Sequence, residues 1–154
     1  MCLKDNCEPN EMKYSISDDM TKEEAVFVRT KLTEFADPFT GPRNYRTFGI
    51  VLRSEDGDVA GGLTADVIWT WLRVDVLWIS DSLRNKGYGN SLMDAAEKKG
   101  IEMGCKFAML DTFEFEAREF YEARGYSVMS QTDNFPEGHT HFHLSKPLSS
   151  IGNA

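Results

Sequence analysis

Between Leu77 and Leu92 the chain reads Leu-Trp-Ile-Ser-Asp-Ser-Leu-Arg-Asn-Lys-Gly-Tyr-Gly-Asn-Ser-Leu. An apolar stretch runs into a polar turn carrying Arg84 and Lys86, then two glycines, then residues at helical spacing. That order of residue types suits an anion. The first N–H groups of a helix have no intrahelical acceptor and lie at its positive end, and glycines let a ligand approach the backbone closely. Two phosphate turns do not fit. A dinucleotide turn needs a third glycine three residues after the second, where Leu92 stands. A P-loop closes on Gly-Lys-Ser/Thr, which the segment lacks. The pyrophosphate of an acyl-CoA stays open as a ligand, beside a turn that uses glycine for geometry alone.

Other residues carry chemistry singly or in small groups. Asp75 interrupts the apolar run Val74–Ile79, and an acid there needs a cleft or a partner. Arg73, on the same strand face, is one such partner. Glu114 is a second candidate acid. Tyr121 shares a helical face with Ala117 and Phe120, which also reads as a core position with a satisfied hydroxyl. His139, His141 and His143 alternate and so project from one face of a strand, with Phe142 and Leu144 on the other. No further Cys or His stands at zinc-ligand spacing, so a solvated face, a proton shuttle and an acceptor pocket compete there. Glu114, Glu116, Glu119 and Glu122 read as a solvated helix face or a cation-binding one. Trp78 alternates with Val74 and Val76 as a packed residue, while Trp69 and Trp71 flank a turn and are candidates for lining an acceptor site.

The elements that position these groups follow from periodicity. Met12–Ser17 alternates as a first strand. Thr21 and Glu24 have capping-box spacing ahead of an apolar face of Ala25, Val28, Leu32, Phe35 and Ala36, and Pro38, Gly41 and Pro42 end that helix. Thr47–Arg53 and a run from Val59 form a hairpin around Asp56-Gly57, with Gly61 and Gly62 marking a bulge or a close backbone approach. Trp69–Trp71 turns the chain into a strand, Leu72–Ser80, apolar enough to be covered on both faces. A helix from Gly89 to Met103 closes on Gly104. Then come a strand Lys106–Thr112, a short helix Phe115–Arg124 capped by Gly125, and strands Tyr126–Ser130 and Thr140–Ser145. The order is β-α-β-β-β-α-β-α-β-β, a mixed α/β layer fold.

At 154 residues and 17.5 kDa the chain has the length of one domain, expected over 12–147 between tails 1–11 and 148–154. Its 41% apolar and 27% charged content is globular, and no apolar run is longer than the four residues Val76–Ile79, too short to span a bilayer. Seventeen basic against 25 acidic residues leave a charge of −8 and a pI near 4.9. That balance disfavours nucleic acid and anionic membrane and favours a cationic small molecule. Three cysteines and no leader pattern point to a reducing, cytoplasmic setting, with Cys2 and Cys7 in the tail and Cys105 a buried small hydrophobe. No cysteine is placed for a covalent intermediate. The oligomeric state stays open, a homodimer included.

Arg84-Asn85-Lys86-Gly87-Tyr88-Gly89 resembles the Arg/Gln-x-x-Gly-x-Gly/Ala signature of the GCN5-related N-acetyltransferases. Phe120-Tyr121-Glu122-Ala123-Arg124-Gly125-Tyr126 resembles their second hallmark, an aromatic-Tyr pair ahead of Gly-Tyr/Phe. Both stand in the family's order and separation, and the resemblance covers 12–147. It implies an α/β (α+β) single domain whose central mixed, mostly antiparallel sheet is flanked by helices. It implies acetyl-CoA as donor, with Arg84, Asn85, Lys86, Gly87, Tyr88, Gly89 and Asn90 around the pyrophosphate, chiefly through backbone amides. The main chain of Leu77, Trp78 and Ile79 would pair with the pantetheine arm, and a backbone N–H there would serve the oxyanion. Tyr121 matches the tyrosine near the CoA sulfur and is the expected acid. Many relatives carry Asn where this chain has Glu114, which puts side-chain contacts to the cofactor arm in question.

Amide formation from a thioester needs a neutral amine. With a pKa near 10.4, deprotonation at neutral pH costs about 4 kcal/mol, against about 2 kcal/mol for releasing a thiolate of pKa about 8.5. A base therefore matters at least as much as the acid. Asp75 is the first candidate as base or amine anchor, and Glu114 the second. The expected activity is transfer of acetyl to a primary amine of a small cationic acceptor (a polyamine, amino sugar or amine antibiotic) by direct attack in a ternary complex. A non-catalytic acyl-CoA sensor and a protein lysine or N-terminal acetyltransferase are the alternatives. Acceptor choice falls to Phe35–Arg46 and the loop before His139.

Overall fold

A computed structural model describes residues 13–148 of the chain. The expected tails, with Cys2 and Cys7, lie outside the described residues apart from Leu148. The chain divides into two compact units, Met1–Gly41 and Pro42–Ala154.

The described part of the first unit is one helix, α1 (Lys22–Thr40). Lys13–Ser17 forms no strand, and Met12 lies outside the described residues. The alternation there is short, and a strand exists only where a neighbour takes its backbone hydrogen bonds. The capping box forms as its spacing predicts: the Thr21 side chain accepts from the Glu24 N–H, and Glu24 accepts from the Thr21 N–H at 2.7 Å. Pro38 does not end the helix. One missing donor leaves the last turn intact, and Gly41, at φ 68°, closes it by donating to the Asp37 carbonyl.

The described residues of the second unit carry six strands and two α-helices, with one 3-10 turn at Asp81–Leu83. They are β1 (Arg46–Arg53), β2 (Val59–Ile68), β3 (Trp71–Ile79), α2 (Tyr88–Glu102), β4 (Phe107–Phe113), α3 (Arg118–Ala123), β5 (Ser127–Asp133) and β6 (Thr140–Pro147). The strands form one sheet in the order β1-β2-β3-β4-β6-β5. Every neighbouring pair is antiparallel except β3–β4, the pair joined through α2, as a parallel crossover requires. Gly61 and Gly62 mark close approach: a Cβ on Gly61 would lie 2.8 Å from the Trp78 carbonyl oxygen.

The core lies on one face of the sheet. Leu63, Ala65 and Val67 of β2, Leu72 and Val74 of β3, Ala108 and Leu110 of β4, and Phe142 and Leu144 of β6 meet Leu92, Met93 and Ala96 of α2. Cys105 is buried as expected, and burial raises its thiol pKa. Two irregularities of β3 shape the surface beside this core. Thr64 pairs with Val76 and Ala65 with Val74, so Asp75 is an extra, bulged residue. The bulge reverses side-chain parity: Leu72 and Val74 point inward before it, Leu77 and Ile79 after it. Val76 and Trp78 are therefore each 50% exposed, where simple alternation makes Trp78 a packed partner of Val74. The parallel pairing with β4 also stops early, running only from Trp71–Phe107 to Val74–Leu110.

Candidate active site

Where β3 and β4 part beyond Val74 and Leu110, a cavity of about 1500 Å³ opens. Its walls are β3 from Val74 to Ile79, the turn into α2, the end of β4, and α3 with the loop before it. On its β4 side the β3 backbone past Val74 has no strand partner. The Ile79 carbonyl there accepts from Arg84 Nε at 3.2 Å.

The turn at one end is held open by backbone conformation. Asn85 (φ 59°) and Gly87 (φ 89°) are left-handed, a region only glycine and, less readily, asparagine enter without strain. A Cβ on Gly87 would meet nothing within 4 Å, so space adjoins this backbone. One on Gly89 would lie 3.3 Å from Phe120 Cζ, so that glycine serves the packing of α2 on α3. No side chain caps α2, and Gly87, Gly89 and Asn90 at its positive end line the cavity. Arg84, Asn85, Gly87, Gly89 and Asn90 line the cavity, as do Leu77, Trp78 and Ile79; Lys86 and Tyr88 do not. Arg84 is also committed to Asp81 at 2.8 Å.

Tyr121 reaches the cavity from α3. It is 7% exposed, meets Phe120 and Tyr126 edge-on, and has no hydrogen-bond partner for its hydroxyl among the described residues. Burial, then the Glu116 carboxylate, pushes its pKa up to about 12, so it holds its proton at neutral pH. Its alternative reading as a core tyrosine with a satisfied hydroxyl is half right: the ring is packed, the hydroxyl unpaired. Thr112, which the sequence did not single out, and Glu116 of the acidic run shape the turn before α3. Glu116 accepts from the Thr112 hydroxyl at 3.1 Å and from the Phe113 N–H at 3.0 Å.

Asp75 lies exposed at the bulge, its nearest polar partner the Thr64 hydroxyl at 3.5 Å. The Arg73 guanidinium pairs instead with Asp66, its cross-strand neighbour, which also accepts from the Tyr45 hydroxyl. Arg73 makes its ion pair with Asp66, and Asp75 keeps only a through-space electrostatic attraction to it. Glu114 lines the cavity, with Oε1 2.5 Å from His139 Nδ1 and Oε2 accepting from the Thr140 N–H at 2.8 Å. Desolvation raises its pKa, but the bonds from His139 and Thr140 outweigh that and leave it lowered.

The acidic run is therefore not one solvated helix face. Glu116 holds Thr112, Glu122 pairs with Arg118 at 3.2 Å, and Glu114 is held by His139. The three histidines do share a face as alternation requires, but no cluster able to hold a metal exists among the described residues. Trp71 stacks on Phe107 and Trp69 lies near Arg43, at the end of β3 remote from the split. Neither lines the cavity.

Comparison with known proteins agrees with this architecture. The acetyltransferase (GNAT) family model matches residues 13–126. The blasticidin-S acetyltransferase of Streptomyces morookaense is 34% identical over 112 residues, covering 72% of this chain and 82% of that protein. An acetyltransferase of Agrobacterium fabrum is 27% identical over 135 residues, covering 88% and 98%. The crystal structure of an acetyltransferase from Bacillus cereus superposes with a TM-score of 0.82 at 28% identity, over 87% of this chain and 98% of that one. A parted parallel strand pair, an uncapped glycine turn and a buried tyrosine between them, matched along most of the chain, identify it as an acetyltransferase of the GNAT family.

Proposed function

We propose that the protein transfers acetyl from acetyl-CoA to the primary amine of a small cationic acceptor, by direct attack in a ternary complex. The observation that carries this reading is the cavity at the β3–β4 split, which has uncapped helix N–H groups at one end and the neutral Tyr121 hydroxyl in its wall. The residues present suit the donor. The space beside Gly87 admits a pyrophosphate to the α2 amides, and the unpaired β3 edge offers main-chain groups to the pantetheine amides. Glu114, standing in place of the family's usual Asn, is held by His139 and Thr140 and leaves this contact to the backbone.

The bound donor supplies an activated thioester carbonyl. Asp75 holds the acceptor ammonium and takes its proton, directly or through water. The freed nitrogen lone pair forms the C–N bond while a β3 N–H near Leu77 stabilises the oxyanion, and the nitrogen, now cationic, gives its second proton to water or to Asp75 once Asp75 has passed the first to solvent. As the C–S bond breaks, Tyr121 protonates the leaving sulfur and regains a proton from solvent. A carboxylate-rich wall (Asp75, Asp111, Glu114, Glu119) favours a cationic acceptor. A relative whose name specifies acetylation of blasticidin-S supports a small-molecule acceptor over a protein one.

Calorimetric titration with acetyl-CoA, on the wild type and on a Gly87→Glu, Gly89→Glu double variant, tests the donor site. Binding that the double variant loses supports it, and absence of binding by folded wild type overturns it. A panel of polyamines, amino sugars and amine antibiotics, blasticidin-S included, then tests the acceptor class by thiol release.

A further inference from the structure

The acetyl-transfer chemistry leaves one cluster unused. Beside the cavity, the end of β4, the β5–β6 hairpin and β6 together present a run of rings. Phe113 and Phe115 stack with centroids 5.2 Å apart and planes within 2° of parallel. His141 packs 4.7 Å from Phe113, and Phe135 lies 5.3 Å from His141. His139 meets Phe115 edge-on at 4.9 Å. Two histidines are fixed through Nδ1, His139 to Glu114 and His143 to Asp111, each at 2.5 Å. Rings so tied are oriented ahead of any ligand.

Three features make this more than a packed corner. Phe115, although stacked on one side and met edge-on at another, is still 59% exposed, and Phe135 is 56% exposed. Large apolar rings left in water cost free energy that a ligand would recover. The cluster is continuous with the cavity, since Phe115, Glu114 and Asp111 are in its wall. A carboxylate accompanies the ring surface at each fixed histidine, so π faces and negative charge are offered side by side.

We infer that this shelf is the acceptor subsite and that it selects a cationic amine carrying a planar aromatic or heteroaromatic ring. The ring extends the Phe113–Phe115 stack, and Glu114 and Asp111 draw the cationic part of the molecule. This deepens the amine-acetylation reading and rests on it. An offset stack adds about two- to tenfold in affinity beyond the apolar area covered, so a planar ring outcompetes a saturated one of equal size.

The test compares benzylamine with cyclohexylmethylamine, matched in charge and size but not in aromaticity, as acceptors for wild type, Phe115→Leu and Phe135→Leu. Wild type is expected to favour benzylamine about fivefold in kcat/KM, chiefly through KM. Phe115→Leu brings the ratio near one and Phe135→Leu lowers it, with acetyl-CoA affinity by calorimetry confirming that each variant is folded. If Phe115→Leu does not fold, Phe135→Leu carries the comparison. A wild-type ratio near one, or a ratio that survives in the folded variants, overturns the shelf and leaves acetyl transfer standing. Acetyl-CoA binding with no turnover of these or the wider amine panel overturns the amine reading, and the shelf with it.

Discussion

At the scale of single residues, burial and pairing separate chemistry from packing. Tyr121 and Tyr126 lie five residues apart, and burial raises the pKa of both phenols. Tyr126 donates to Glu97 at 3.0 Å, whereas Tyr121 has no such partner. The Tyr121 hydroxyl is not one of the buried polar atoms left without a partner, and the residue lines the cavity, where a ligand can reach it. Tyr121→Phe is expected to lower kcat by about 10²-fold with little change in acetyl-CoA affinity, checked by steady-state kinetics and calorimetry. Asp75→Asn keeps the shape of the bulge and removes the base, so kcat/KM at neutral pH should fall at least about tenfold. That loss should shrink as pH approaches the amine's own pKa, because the free amine then no longer needs a base. A loss independent of pH would mean that Asp75 only anchors.

At the scale of elements, two local irregularities decide the site. Were β3 to alternate regularly through Asp75, with no bulge, Trp78 would point into the core and Leu77 outward. The bulge puts Asp75 at the point where the parallel pair parts. The left-handed Gly87 likewise turns the chain so that α2 starts against the cavity. Gly87→Ala forces a Cβ into that conformation and should cost about 1–2 kcal/mol of stability by urea unfolding. It should weaken acetyl-CoA binding by misdirecting the α2 amides. The capping box, the Asp-Gly hairpin and the glycine turn were legible in the sequence because each is specified by a few adjacent residues. The bulge was not, since an extra residue shows only against its partner strand. That α1 runs on through Pro38 to the expected Gly41, and that Lys13–Ser17 forms no strand, have the same origin: both depend on hydrogen bonds that local spacing does not report.

At the scale of the molecule, a charged network ties α3 and its exit to α2 and β6. Glu97 accepts from Tyr126 and from Lys146 at 2.9 Å, and Arg124 bridges Asp94 at 2.7 Å and Glu97 at 3.3 Å. Removing one partner from a largely buried network strands the others, so Glu97→Leu should destabilise the fold by about 3 kcal/mol in urea. Alkaline stability follows from the two phenols. Their folded pKa values lie above the ordinary 10, so their contribution is complete below pH 10 and is lost as pH climbs through the folded values, about 12 for Tyr121. The urea midpoint should fall above pH 10, and less steeply in Tyr121→Phe.

Sequence alone determined the family, the alternation of helices and strands, the glycine turn ahead of α2 and the place of Tyr121 in α3. These are written in contiguous residue types whose backbone consequences are local. Only the tertiary structure decided which acid forms the ion pair with Arg73, which way Trp78 points, and that Glu114, Phe115 and the three histidines converge beside the cavity. Those outcomes depend on which strands become neighbours and in what register, and register is set by the packing of the whole sheet.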